Sequence, residues 1–559
     1  MTETMRELPA AGPDGRARAT ALAQVEALSE RIEPTSVVSY QSWGRLLVIG
    51  PEDAARSAAR QVREELDCTL FVPGEDSPHP ASLDGIPVIR GGKPVLKGRL
   101  GAFEAGTAAG TEDEPQSLSR TLDSLPEKFD LVLDLGEQPL LTQEIPPPGY
   151  YAPGDDEALA RALEELPQMR GEFEKPKFFE FDPEICAHGR SGLKGCTRCI
   201  DACPTLAISS AGEVVHVDPF LCQGAGSCVA ACPTGAMTYA FPGVDDLLGL
   251  LRDVLNSYRE AGGEAPCLLF HDGWSRSAVL EGYGPAMPER VLPVQVEEVG
   301  SIGLEAWLAS LAYGAAAVRL VVTRGTPERV LKELEEQIRF GRAILEAMGL
   351  SGESLGLVTA GEPADWDALP ESAAGRPAKF SAPDDKRTIL RLAIDHLHRH
   401  APSAKRVAPL PAGAPFGEIK VDKDACTLSM SCVSVCPAAA LQAGGDLPQL
   451  KFVEWNCVQC GLCEKACPED AITLHPRILF DSEARQSARI LHEEEPFCCI
   501  VCGKPFATQS VLDRMTAKLQ GHWMFQSEDA MRRLQMCDTC RVKDMFQAER
   551  ASGGPGTPS

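Results

Sequence analysis

Four stretches of the chain close on one pattern: Cys199-x3-Cys203-Pro204, Cys228-x3-Cys232-Pro233, Cys432-x3-Cys436-Pro437 and Cys463-x3-Cys467-Pro468. Further cysteines precede each of them, so that two dense blocks arise, at residues 175–243 and 416–480. A run of thiols ending in Cys-Pro is a way to hold a cubane iron–sulfur cluster, the first cysteines gripping one cluster and the last reaching across to its neighbour. This interleaving constrains the fold more than any other feature, because each half of a block is complete only when the other half lies against it. The alternatives fit less well. Zinc prefers well-separated C-x2-C knuckles, and a disulfide framework belongs to small secreted chains, whereas this one has 559 residues and 21 cysteines.

Both halves of the first block open alike, with Phe181-Asp182-Pro183-Glu184-Ile185-Cys186 and then Val217-Asp218-Pro219-Phe220-Leu221-Cys222, an internal duplication. In the first run nine residues separate Cys186 from Cys196, and Gly189, Gly192 and Gly195 make that insertion a flexible loop. Cys186, Cys196, Cys199 and the crossover Cys232 still complete a 4Fe-4S site. His188, inside the loop, reads as a solvent-exposed residue rather than an iron ligand. The second run has Ala225 where its middle cysteine should stand, which leaves Cys222, Cys228 and the crossover Cys203.

The second block carries its gap in the other half. Ser429 stands between Cys426 and Cys432, with Cys467 as the third thiolate, while Cys457, Cys460, Cys463 and the crossover Cys436 form a complete set. Ser429 reads as a bystander, because an alkoxide binds iron only if its high proton affinity is overcome. Three thiolates suit a 3Fe-4S cluster, or a 4Fe-4S cluster with one iron open to water, a small ligand or a partner residue. The chain thus has places for up to four clusters.

On these runs both blocks resemble bacterial dicluster ferredoxin domains of the 4Fe-4S type, which implies electron transfer through clusters with no substrate of its own. Between the blocks, residues 244–400 read as an α/β unit. PCLLF at 266–270 and AVRLVV at 317–322 look like buried strands, and the apolar run 302–322 like a packed helix followed by a core strand. A helix starts at Thr326-Pro327, with Thr326 as its cap, Val330, Leu334 and Ile338 as its apolar stripe and Gly349 at its end. Residues 292–350 are similar to the delta-subunit domain of methyl-viologen-reducing hydrogenases. That domain docks electron-transfer proteins and, in the family, carries a cysteine-bound cluster. Here Thr323 and Arg324 stand near the expected cysteine position, so the resemblance implies a fold and a docking role without a cluster. Cys267 reads as structural, and His271 beside Asp272 as a loop pair rather than a catalytic dyad.

Residues 1–174 read as a further α/β domain, with strands at 46–50, 69–72 and 130–135, a helix at 51–66 and another at 155–166. Gly50-Pro51-Glu52-Asp53 lacks the later glycines of a dinucleotide-binding turn, and its acids would repel a pyrophosphate. Cys68 is a packed small hydrophobe. Residues 401–415 form a proline-rich linker whose Lys405 and Arg406 are solvated charges. In residues 481–550, Cys499-x2-Cys502 and Cys537-x2-Cys540 are two knuckle-like turns across a helical span at 510–519, the arrangement a tetrahedral four-thiolate zinc needs. A further iron–sulfur centre or free thiols are the alternatives, and Cys498 could substitute for Cys499. Residues 551–559 read as a disordered tail.

The expected architecture is therefore a multidomain α/β and α+β protein: an N-terminal α/β domain, two ferredoxin-like dicluster domains flanking an α/β domain, and a C-terminal zinc-knuckle-like region. The net charge of −26 argues against nucleic acid as a partner, and no signal peptide or membrane-spanning stretch is visible in the sequence, so a cytoplasmic protein is expected. Its partners would be redox proteins of dehydrogenase or hydrogenase type. The whole arrangement is similar to the large ferredoxin-type proteins of bacteria associated with formate dehydrogenase. An assembly or sensing factor for a metalloenzyme, using labile clusters, is the competing expectation. No P-loop, G-x-S-x-G elbow or H-E-x-x-H helix marks a catalytic site.

Overall fold

In the computed structural model, residues 12–29, 36–74, 77–107, 116–117, 126–277, 279, 283, 286–381, 385–403, 405–445 and 447–551 are described. The expected tail lies outside them apart from Ala551, which ends the helix Asp538–Ala551. The fold is mixed α/β with several small sheets.

The first layer is a six-stranded sheet in the spatial order Tyr150–Tyr151, Leu131–Asp134, Arg45–Ile49, Asp67–Pro73, Ile86–Gly91 and Ser77–Leu83. All pairs are parallel except the last. Strands buried on both faces read as unbroken apolar runs, and LLVI at 46–49 is such a run, its four side chains at most 2% exposed. The helix Glu52–Val62 covers one face with Ala55, Ala58, Ala59 and Val62. The helix Asp156–Glu165 follows Asp155, whose carboxylate accepts from Ala158 N at 2.7 Å as a cap. Cys68 is buried in this layer and its thiol is pushed up to about 11, chiefly by burial.

The helix Pro13–Ser29 precedes this sheet in sequence but packs elsewhere, against the helix Val244–Glu260. Asp14 accepts from Tyr258 Oη at 2.9 Å, and Ala17 and Ala21 join the central core. That core belongs to a parallel sheet in the order Val291–Gln295, Cys267–His271, Ala317–Val322, Leu355–Thr359. The helices Leu304–Ala312, Glu328–Ala347 and Lys386–His400 pack around it. Val330, Leu334 and Ile338 form the buried stripe expected of them. The helix start differs: Pro327 occupies the cap position, and the Thr326 hydroxyl instead accepts from Thr323 N at 2.9 Å. Cys267 is fully buried. His271 is not a loop residue but ends a buried strand. Its Nδ1 faces the Asp272 backbone oxygen, while the Asp272 carboxylate binds Ser275, so no dyad forms.

Each cysteine block folds as two interlocked halves. In the first, Phe179–Phe181 pairs with Met237–Tyr239 and Ile208–Ala211 with Val214–Val217, enclosing the short helices Arg198–Ala202 and Ser227–Ala231. In the second, Gly417–Val421 pairs with Ile472–Leu479 and Leu441–Ala443 with Gln449–Phe452, around Ser431–Ser434 and Leu462–Ala466. The segment expected to be a linker is built in: Val407–Pro409 extends the second block's sheet along Ile472–Leu479, and Ala408, Leu410 and Ala414 are buried. Arg406 pairs with Asp481 at 2.9 Å. Arg489–Glu493 adds a strand to the same block beside Gln449–Phe452. It is held there by Arg489 and Arg477 on the buried Glu454, whose carboxyl they bring below its ordinary range against the opposing effect of burial.

Candidate metal centres

A repeated backbone device delivers the first cysteine of three runs. Asp182, Asp218 and Asp422 each turn their carboxylate onto an N–H two residues ahead, at 2.9, 2.8 and 3.0 Å, an Asx turn of the kind that competes with regular structure. In the runs that open on Cys222, Cys426 and Cys457 the chain winds with left-handed residues two and four places after that cysteine: Gly224 and Gly226, Leu428 and Met430, Gln459 and Gly461. Such alternation turns successive N–H groups inward to form a concavity for a negatively charged group. Burial raises the thiols of Cys186, Cys196, Cys222, Cys426, Cys457 and Cys460, and the backbone N–H two residues on from each opposes it by favouring the thiolate. Met237 N and Ala471 N reach Cys232 and Cys467 at 3.4 and 3.3 Å.

The structure brings the sequence-predicted cysteines together in four sets. The thiol of Cys199 is raised by burial and by the neighbouring charges of Cys232, Cys196 and Cys186. Cys228 is raised by burial and by Cys222 and Cys203. Cys463 responds to Cys457, Cys460 and Cys436, and Cys432, pushed up to about 12 chiefly by burial, responds to Cys426 and Cys467. In each set the crossover cysteine from the other half is among the neighbours. Cys436, Cys457, Cys460 and Cys463 line one small pocket whose other walls are mostly apolar, among them Ile419, Leu441 and Phe452. Four thiols gathered around one space fit a group of positive metal ions, which inverts the local electrostatics and takes up thiolates.

The two ligand-poor sets keep the same loop shape without the middle cysteine, but their surroundings differ. Ala225 is 8% exposed and lies under the turn Val299–Ser301 of the central domain. A Cβ on Gly226 would collide with Ser301, and one on Gly300 with the Ala225 carbonyl. Ser429 is exposed, its hydroxyl 3.4 Å from that of Ser431.

His188 departs from expectation. It is 1% exposed, with Nδ1 2.8 Å from the Cys196 carbonyl and Nε2 2.8 Å from the Ser210 hydroxyl. A carbonyl only accepts, so in the neutral ring Nδ1 carries the proton and Nε2 accepts from Ser210. Both nitrogens are thus engaged, and the ring pins the inserted loop.

Three cations missed at the sequence level stand beside the sets. Lys175 donates to the Cys222 carbonyl, and burial brings its ammonium down to about 8. Arg387, brought down to about 10 by burial, donates to the Trp455 and Cys457 carbonyls and lies over the Phe416 and Trp455 rings. Arg329 donates to the Cys203 carbonyl at 3.3 Å. Their partners are remote in sequence, so no local pattern reveals them. Positive charge near a cluster is one of the terms that set its potential.

A separate site lies at the C-terminal end. The hairpin Pro496–Cys498 and Pro505–Thr508 presents Cys499 and Cys502, and the start of Asp538–Ala551 brings Cys540 beside Cys537. The four sulfurs lie within 4.8 Å of one another, with Cys502 and Cys537 at 3.7 Å. One metal ion suits this spacing. Cys498 is exposed, and it is Cys499 that joins the group. Burial acts to raise Cys499, but backbone N–H groups of Cys537, Cys502 and Val501 outweigh it and bring that thiol down to about 6, while hydrogen bonding to Cys502 raises Cys540.

The 4Fe-4S dicluster domain family model matches the chain twice, at residues 179–233 and 418–468. The chain therefore carries two 4Fe-4S dicluster domains. No curated protein matches it. Among the described residues no helix is long and apolar enough to cross a membrane.

Proposed function

We propose that this protein is an electron carrier that moves electrons between redox partners through up to four iron–sulfur clusters. When bound, the clusters supply one-electron oxidation and reduction without a substrate-binding step. Cys186, Cys196, Cys199 and Cys232 would hold one 4Fe-4S cluster, and Cys436, Cys457, Cys460 and Cys463 another. Cys203, Cys222 and Cys228, and Cys426, Cys432 and Cys467, would hold the ligand-poor pair, as 3Fe-4S or as 4Fe-4S with an open iron. The observation that carries the reading is the pocket lined by the four thiols of one complete set, one of them supplied by the opposite half. Cys499, Cys502, Cys537 and Cys540 would hold a structural zinc.

The central domain, with its parallel sheet and its turn over Ala225, supports a docking role for partners of dehydrogenase or hydrogenase type. Anaerobic purification with iron, sulfide and zinc counts, followed by a redox titration monitored by EPR, tests the proposal. Four clusters that reduce and reoxidise reversibly are expected, and the absence of reversible redox would remove it. The exposure of Ser429 favours one second reading, an assembly or sensing factor with a labile cluster. That factor would lose iron from the Cys426, Cys432 and Cys467 site to an apo-acceptor protein.

A further inference from the structure

The cluster chemistry leaves one feature of the sequence without a use. Every other run places its second cysteine within a few residues of its first, yet nine residues separate Cys186 from Cys196. In the structure this insertion is an ordered hairpin. Gly189–Arg190 pairs with Leu193–Lys194 across Ser191 and Gly192, both with positive φ, the two-residue turn whose twist matches its strands. His188 anchors its base through Cys196 and Ser210.

The returning strand lies against the helix Leu462–Ala466 of the second dicluster domain. Lys465 Nζ donates to the Lys194 carbonyl at 2.6 Å, and Arg198, just past the insertion, donates to the Gly413 carbonyl at 2.6 Å. Gly195 has no room for a side chain: a Cβ there would stand 2.6 Å from the Ala187 carbonyl and 2.7 Å from the Leu462 side chain, which is fully buried. Gly195 adjoins Cys196, and Leu462 lies between Cys460 and Cys463.

We infer that the insertion is a clamp between the two dicluster domains, in which Gly195, Leu462 and Lys465 are positioning residues that hold the two complete cysteine sets as neighbours. The four sets then stand in single file: Cys203, Cys222 and Cys228; Cys186, Cys196, Cys199 and Cys232; Cys436, Cys457, Cys460 and Cys463; Cys426, Cys432 and Cys467. The elements that carry the sets touch in this order: Ser227–Ala231 packs on Arg198–Ala202, Leu193–Lys194 on Leu462–Ala466, and Leu462–Ala466 on Ser431–Ser434. Tunnelling rates fall exponentially with distance, so the clamp decides whether the chain is one relay or two. The inference rests on the electron-carrier reading. Each hop transfers one electron from a reduced centre to its oxidised neighbour, with no bond made or broken, and dithionite serves as the reductant in the test.

In the full chain, Cys228→Ala with Cys432→Ala removes a ligand from each outer set and leaves one complete set per domain. Any coupling that survives must then cross the domain boundary. After anaerobic reconstitution and reduction with dithionite, the EPR spectrum is expected to show spin–spin broadening. Adding Gly195→Val should return the spectrum to the sum of two isolated signals at unchanged iron and sulfide content. Isolated signals already present in the double variant at full iron content, or coupling that survives Gly195→Val, would overturn the clamp. Should Gly195→Val not fold, Leu462→Ala with Lys465→Met takes its place. A chain that takes up no iron sinks the electron-carrier reading instead. The clamp is then decided by hydrogen exchange: Leu462→Ala should speed exchange of the amides at 189–195, and unchanged rates overturn it.

Discussion

Lys386 ties the central domain to the first dicluster domain, and its replacement gives a quantitative test of how that junction is held. The ammonium is 8% exposed, stands 3.3 Å from the Glu305 carboxylate, and donates to the Val229 and Ala230 carbonyls at 2.8 and 2.9 Å. Those carbonyls belong to the short helix Ser227–Ala231 that carries Cys228. Lys386→Met keeps most of the aliphatic stem but leaves Glu305 buried without its counter-charge, and breaking a buried pair on one side costs about 3–5 kcal/mol. With a urea dependence of about 3 kcal/mol per M, the unfolding midpoint should fall by about 1 M or more. Adding Glu305→Gln removes the stranded charge, so the double variant should recover at least half of that loss. The assay is anaerobic urea denaturation of the holo chain, following loss of cluster absorbance, because a multidomain chain need not unfold in one step. A midpoint within about 0.2 M of the parent, at most about a fifth of the shift expected from the pair energy, would refute this account of the junction. So would a double variant no more stable than the single one.

Four other changes have expected outcomes. Burial, then the charges of Asp272 and Glu297, push the Glu298 carboxyl up to about 7. The folded state therefore binds that proton more tightly than the unfolded chain, and the stability it contributes is lost as the pH rises from about 4.5 through about 7. Glu298→Gln should flatten that part of the curve of melting temperature against pH, and an unchanged slope would count against the environment described. Cys537→Ala should abolish metal binding at the C-terminal group and open residues 496–551 to protease while leaving iron and sulfide counts unchanged, and loss of iron as well would tie that region to the clusters. Ser429→Cys supplies a fourth thiol at an exposed position and should slow iron loss to a chelator. Ala225→Cys, placed under Ser301, should fold less well than Ser429→Cys. Equal behaviour of the two would contradict the difference in their surroundings.

Much of this protein was legible in the chain itself. Cluster chemistry dictates cysteine spacing, so the two dicluster domains could be read from the Cys-x3-Cys-Pro runs without reference to packing. Apolar periodicity gave the buried strand at 46–49 and the stripe Val330, Leu334 and Ile338, because burial on one face leaves its period in the sequence. Other properties came from contacts between segments that are not neighbours in sequence. The helix Pro13–Ser29 joins the central core, the presumed linker contributes a strand, His188 is interior, and Lys175, Arg329 and Arg387 point at backbone carbonyls beside the cysteines. No local pattern encodes such choices, since a carbonyl is the same acceptor in every residue and a lysine pairs with whatever the fold brings near. Ala225 and Ser429 look alike as gaps in a motif, and only the packing of Val299–Ser301 separates a sealed site from an open one. Local chemistry therefore determined what the cysteines can hold, while the tertiary structure decided which sets become neighbours, because proximity between distant segments is a property of the packed chain.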